Sequence, residues 1–159
     1  MKKISLLVLL IASVFLITGC SNKKTVITGS EFKDKVVGIV NVSNYSAYYG
    51  IAKEAYQTEK TEYKVLYIEG NSLSDIKGMY VDEGKNMYAK AGIVDEYGNE
   101  AAATKVTKET RSGKNWSSIE ITTEYKYYYL IYVENTILYM EGNLDQKDTL
   151  FKVRDAIKY

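Results

Sequence analysis

The chain predicts an α+β domain: a mostly antiparallel sheet packed against two or three helices, with the two kinds of element segregated along the sequence. Three observations predict it. A capping signature, Thr28-Gly29-Ser30-Glu31, opens a helix early in the polar region. A strand-rich stretch runs from Trp116 to Met140. Asn143 then precedes an amphipathic segment in which Leu150, Val153 and Ile157 share one face.

In the first helix, Thr28 caps the Glu31 amide and Glu31 reaches back. Ile27 and Phe32 occupy the hydrophobic-staple positions, Val36 and Val37 extend the apolar edge, and Gly38 suits the residue after the C-cap. Ile39-Val40-Asn41-Val42 reads as a short strand, Ile51 to Gln57 as an ambiguous segment, and Glu62 to Ile68 as a strand by its β-branched and aromatic content. Ser72 caps a second helix carrying Leu73, Ile76, Tyr80 and Met87. Gly78 and Gly84 each weaken it by about 1 kcal/mol relative to alanine. Residues 91–114 read mostly as loop, with Ala103 to Thr110 able to add a strand. Ile119 and Ile121 alternate with Glu120 and Thr122, and Tyr127 to Val133 suits a central strand. Glu134-Asn135 forms a hairpin turn, and Ile137 to Met140 is the last strand.

Val65-Leu66-Tyr67-Ile68-Glu69-Gly70-Asn71 is echoed by Ile137-Leu138-Tyr139-Met140-Glu141-Gly142-Asn143. The echo fits either a duplicated strand–strand–helix unit or the turn chemistry that a strand-to-helix junction requires.

The first residues form a separate unit. Met1-Lys2-Lys3 is basic, and the 15 residues Ile4–Thr18 are apolar but for small and hydroxyl side chains. That run is short of the ~20 residues a membrane-crossing helix needs and has the layout of a secretory signal peptide. It ends in Leu16-Ile17-Thr18-Gly19-Cys20, which resembles the lipobox of bacterial lipoproteins. The resemblance implies diacylglyceryl transfer to the Cys20 sulfur, with palmitate-type chains, and cleavage between Gly19 and Cys20. Two or more acyl chains give a stable anchor at ~0.8 kcal/mol per buried methylene. The implied organisation is signal peptide 1–19, lipidated cysteine and short polar tether 20–25, and one extracytoplasmic domain 26–159. A free five-residue tether reaches at most about 17 Å, which lets Lys23 and Lys24 approach anionic lipid. With Glu31-Phe32-Lys33, the Tyr-rich hairpin and the terminal Tyr159, the chain resembles small uncharacterised lipoproteins of Gram-positive bacteria. That likeness transfers no catalytic residue.

Composition limits the chemistry. The 159 residues hold 21 Lys plus Arg against 20 Asp plus Glu, no histidine, no proline and one cysteine. The near-neutral balance argues against nucleic acid as a partner. The missing histidine removes the commonest general base and metal ligand, and a single cysteine leaves no intramolecular disulfide. No cofactor motif is present. Ser30-Glu31-Phe32-Lys33 and Ser74-Asp75-Ile76-Lys77 match S-x-x-K, but the companion motifs of penicillin-recognising enzymes are missing. Asp95 to Glu100 gathers oxygen ligands without EF-hand spacing, which reads as an acidic surface loop, so no metal site is assigned.

Tyrosine is the unusual feature, with 16 residues. Alternation places Tyr125, Tyr127 and Tyr129 on one strand face and Tyr128 and Tyr132 on the other. The first face is a candidate binding surface, or else the tyrosines fill a half-buried sheet. Tyr45, Tyr48 and Tyr49 cluster earlier in the chain. The expected function is a non-enzymatic binding or interaction module at the cell membrane. It is anchored on the extracytoplasmic face through acylated Cys20, with an envelope protein or cell-wall component as partner. The alternatives are a small envelope hydrolase acting through two of Glu54, Glu69, Glu120, Glu134 and Glu141, and a solute-capture lipoprotein, for which the chain is small.

Overall fold

A computed structural model describes residues 22–48, 50–58, 60–94 and 105–159. The signal segment, Gly19, Cys20, Tyr49 and the Asp95–Glu100 stretch lie outside the described residues. Helix α1, Gly29–Val36, starts at the capping box: Glu31 N donates to Thr28 Oγ1 at 3.2 Å, and Thr28 N donates to the Glu31 carboxylate at 2.7 Å. It ends where Gly38 turns the chain at φ +85°, a conformation that costs glycine little. Strands β1 (Val42–Asn44), β2 (Ala52–Thr58) and β3 (Tyr63–Gly70) follow as a meander. Ser72 Oγ accepts from Asp75 N at 3.1 Å and opens α2, Leu73–Lys90. The chain then forms β4 (Thr107–Ser112), β5 (Trp116–Thr122), β6 (Lys126–Val133) and β7 (Thr136–Asn143). A single 3-10 turn, Leu144–Gln146, leads into α3, Lys147–Ile157.

The seven strands form one sheet, ordered β1-β2-β3-β7-β6-β5-β4, in which every neighbouring pair is antiparallel. After β3 the chain crosses to the far edge and returns as a second meander, so β7 closes against β3. Alternation along the central strands sends side chains to two separate cores. On one face α1 and α3 cover Val65, Tyr67, Tyr127, Tyr129, Leu138 and Met140. On the other, α2 covers Leu66, Ile68, Tyr128, Leu130, Ile137 and Tyr139. The α+β class is therefore realised as three layers, with helices on both faces of the sheet.

Several boundaries differ from the sequence expectation. Ile39 and Val40 are not in the first strand: their amides bond back to Val36 O, and Val40 plugs the core beneath α1. The strand begins at Val42, once the glycine turn is complete. The ambiguous segment is β2. Helix α2 runs its full length despite two glycines, and Gly84 lies against the sheet, where a Cβ would come within 3.2 Å of Ile119 Cδ1. The strand expected from Ala103 begins at Thr107, and its first positions lie outside the described residues. Every residue of β4 is exposed, which is why hydrophobic patterning marked it weakly. Asn143 makes no side-chain cap bond, because the 3-10 turn separates it from α3.

The seven-residue echo has a local explanation. Leu66 and Ile68 face α2, and their counterparts Leu138 and Met140 face α3. Gly70 and Gly142 lie where those helices descend: a Cβ on Gly70 would meet Ile76 Cγ1 at 2.6 Å, and one on Gly142 would meet Leu150 Cδ1 at 3.2 Å. Relating β2-β3-α2 to β6-β7-α3 requires reversing strand direction, neighbour side and covered face together. Three reversals change hand, so no rotation superposes the two units. The shared residues are those of a strand-to-helix junction, not of a duplicated three-element unit.

Candidate functional site

The tyrosine face divides once it is placed. Tyr125, in the turn before β6, is 73% exposed, whereas Tyr127 and Tyr129 are 0% and 5% exposed beneath α3. Phe151 meets Tyr127 edge-on at 5.2 Å, and the Arg154 guanidinium sits 5.4 Å from the Tyr129 ring centre. The expected binding face is corrected at these two positions: alternation identified the shared face, but α3 covers it. Burial pushes the Tyr129 hydroxyl up to about 12, Arg154 opposing, and drives those of Tyr67, Tyr127 and Tyr139 well above the usual range. Tyr45 and Tyr48 pack edge-on at 5.6 Å in a cleft of about 320 Å³ at the β1–β2 turn.

Of the five carboxylates considered for acid–base chemistry, Glu54 and Glu69 stand together and Glu120, Glu134 and Glu141 lie apart. Glu54 and Glu69 are cross-strand partners at the start of α1, where Glu69 accepts from Gly29 N at 3.0 Å and faces Lys53 Nζ at 3.5 Å. Such placement complements the helix N-terminus. Glu134 accepts from Asn115 Nδ2 at 3.0 Å and lies 3.5 Å from Lys23 Nζ. Glu141 pairs with Lys90 at 2.8 Å and accepts from the Tyr139 hydroxyl. Burial alone would raise the Glu141 carboxyl, but the bonds from Lys90 and Tyr139 hold it below its ordinary value. Four clefts along the described residues each hold at most one of the five. Ser30 and Ser74 of the S-x-x-K matches lie on the first turns of α1 and α2, each beside its helix cap. Among the described residues no group of three Asp, Glu or Cys side chains is placed to hold a metal ion.

Sequence reasoning missed a groove of about 400 Å³ beside α3. Its floor is the part of β4 and β5 that no helix among the described residues covers. Glu109 stands opposite Glu120 and Arg111 opposite Ser118, so these four share the α3 side of the sheet. Arg154 of α3 forms one wall, 3.4 Å from Glu120 and 3.9 Å from Asp155, while Arg111 pairs with Glu109 at 2.7 Å. The lining thus interleaves charges of both signs and ends in the Trp116 and Tyr159 rings. Glu120 and Tyr129, both singled out from the sequence, line it, but the only signal of the uncovered floor is the Thr-Lys-Glu-Thr-Arg-Ser run of β4, polar on both faces.

Asn22 and Lys24, in the segment expected to be a free tether, are bonded to the body. Trp116 Nε1 donates to Asn22 O at 2.8 Å. Asn115 accepts from Lys24 N at 3.0 Å and donates to Lys24 O at 2.8 Å, as a neighbouring strand would. Lys24 Nζ stands 5.0 Å over the Trp116 ring and donates to Lys158 O at 3.1 Å. Burial lowers the Lys24 ammonium pKa, with Arg154 adding to the effect.

No family model matches the chain, and neither the curated proteins nor the solved structures include a match to it.

Proposed function

We propose that this chain is a bacterial lipoprotein: a lipid-anchored, extracytoplasmic module that binds a protein of the cell envelope without catalysing a reaction. The observation that carries the reading is Leu16-Ile17-Thr18-Gly19-Cys20 at the end of a basic and apolar leader. Cys20 stands two residues before Asn22, so cleavage after Gly19 leaves every described contact intact. The proposed contact surface is the charged groove with the adjoining β4 edge. Among the described residues that strand pairs with β5 on one side only, an edge at which a strand could be added. Interleaved Glu109, Arg111, Glu120 and Arg154 suit a polypeptide bearing charges of both signs better than a uniformly charged polymer.

Two measurements test the reading. Intact-mass analysis of membrane-extracted protein should give a chain starting at Cys20 with added diacylglyceryl mass, and Cys20→Ser should release it to the soluble fraction. A Cys20→Ser protein that stays with the envelope overturns the anchor. Reversing the exposed pair, Glu109→Lys with Arg111→Glu, should reduce cross-linking to envelope proteins at least tenfold with circular dichroism unchanged. Undiminished cross-linking removes the groove.

A further inference from the structure

The lipid anchor leaves the position of the domain open, but the docked N-terminal segment restricts it. We propose that the end of the sheet carrying the β4–β5 and β6–β7 turns faces the bilayer and touches anionic phospholipid headgroups. This rests on the lipid-anchored reading of Cys20.

Asn22 is held by Trp116, and Lys24 by the two bonds to Asn115. Gly113 comes so near that a Cβ there would lie 2.7 Å from Asn22 O. Two residues span at most about 7 Å, which limits how far the Cys20 backbone can stand from Asn22 and hence from these turns. At that distance the acyl chains draw this end against the headgroups. The surface around the exit carries an excess of cations: Lys23, Lys114 and Lys158 are exposed, against two nearby acids, Glu134 paired with Lys23 and Asp155 beside Arg154. Each exposed lysine held near an anionic leaflet adds to the attraction. Trp116 is half-buried, with an apolar ring and a bonded N–H, the character of side chains that settle at a membrane interface.

The strands then stand away from the membrane. Eight-residue strands such as β6 raise their opposite end by roughly 25 Å, which carries Tyr125 and the β2–β3 turn outward. The groove beside α3 starts at Lys24 and Trp116 and so opens at headgroup level. A partner reaching it would itself lie at the membrane.

Trp116 is the only tryptophan, which makes the native chain its own reporter. The experiment takes membrane-extracted protein in vesicles of phosphatidylglycerol and phosphatidylcholine in equal parts, with a nitroxide on a fraction of the headgroups. Trp116 emission should be quenched severalfold more than that of a Trp116→Phe, Tyr125→Trp variant. Asn115→Ala, which frees Lys24 and keeps the Trp116 side chain and its bond to Asn22 O, should narrow the difference, read as the ratio of quenching with and without the nitroxide so that any change in intrinsic Trp116 emission cancels. If Trp116→Phe impairs folding, the native chain with and without Asn115→Ala carries the comparison. Equal or reversed quenching, in a sample whose mass shows acylated Cys20, overturns the orientation alone. A sample without acyl mass overturns the lipid reading and the orientation with it.

Discussion

Two tyrosines within one core have opposite relations to their hydroxyls. Tyr67 stacks on Phe32 at 4.3 Å and donates to Ile27 O at 2.6 Å, tying the chain before α1 to the middle of the sheet. Tyr127 is fully buried, and its hydroxyl has no hydrogen-bond partner among the described residues. Removing a satisfied buried donor leaves its acceptor orphaned, whereas removing an unpartnered one relieves a desolvation penalty. Tyr67→Phe should therefore cost about 1–3 kcal/mol in urea unfolding, and Tyr127→Phe should be neutral or stabilising by up to about 1 kcal/mol. Equal losses for both would contradict this account. The same burial is why alternation could put Tyr125, Tyr127 and Tyr129 on one face and still not say whether that face met water or α3.

At the scale of the elements, two glycines on either side of Ile76 do different work. Gly78 is exposed in the middle of α2, with nothing within 4 Å of an added Cβ, so it costs the helix backbone entropy without any packing return. Gly70 lies under Ile76, where a Cβ would sit 2.6 Å from Cγ1. Gly78→Ala should raise stability by about 1 kcal/mol, and Gly70→Ala should lower it by roughly 1–3 kcal/mol, both read from denaturant midpoints at constant slope. A stabilising Gly70→Ala would mean α2 can shift on the sheet. Caps were legible because they are local: Thr28 with Glu31 and Ser72 with Asp75 bond within one turn. Asn143 carried the same local signal, and the intervening 3-10 turn made it void.

Across the whole molecule, the two cores hold an unusual density of neutral tyrosine hydroxyls. Tyr67, Tyr127, Tyr129 and Tyr139 all have folded values above the ordinary 10.0, for which burial is the first cause. The stability they contribute is complete below pH 10 and is lost as pH rises from there through the folded values, because the unfolded chain releases these protons first. Tyrosinate absorbance should accordingly show a cooperative step above pH 10 that coincides with loss of the circular dichroism signal. A gradual ionisation with secondary structure retained would show that the tyrosines reach solvent without unfolding.

Local chemistry read from the residues alone was enough for the α+β class, the caps of α1 and α2, the central strands and the Glu134-Asn135 turn, because each depends on neighbours within a few positions. Long-range placement decided the rest. The sheet could have been covered on one face or two, and only the crossing from β3 to the far edge sets α2 against one face and α3 against the other. That choice buries Tyr127 and Tyr129, gives the two echo junctions opposite hand, and leaves the β4–β5 groove uncovered. It also brings Asn115 and Trp116 to Asn22 and Lys24, more than ninety positions away, as no local pattern could reveal.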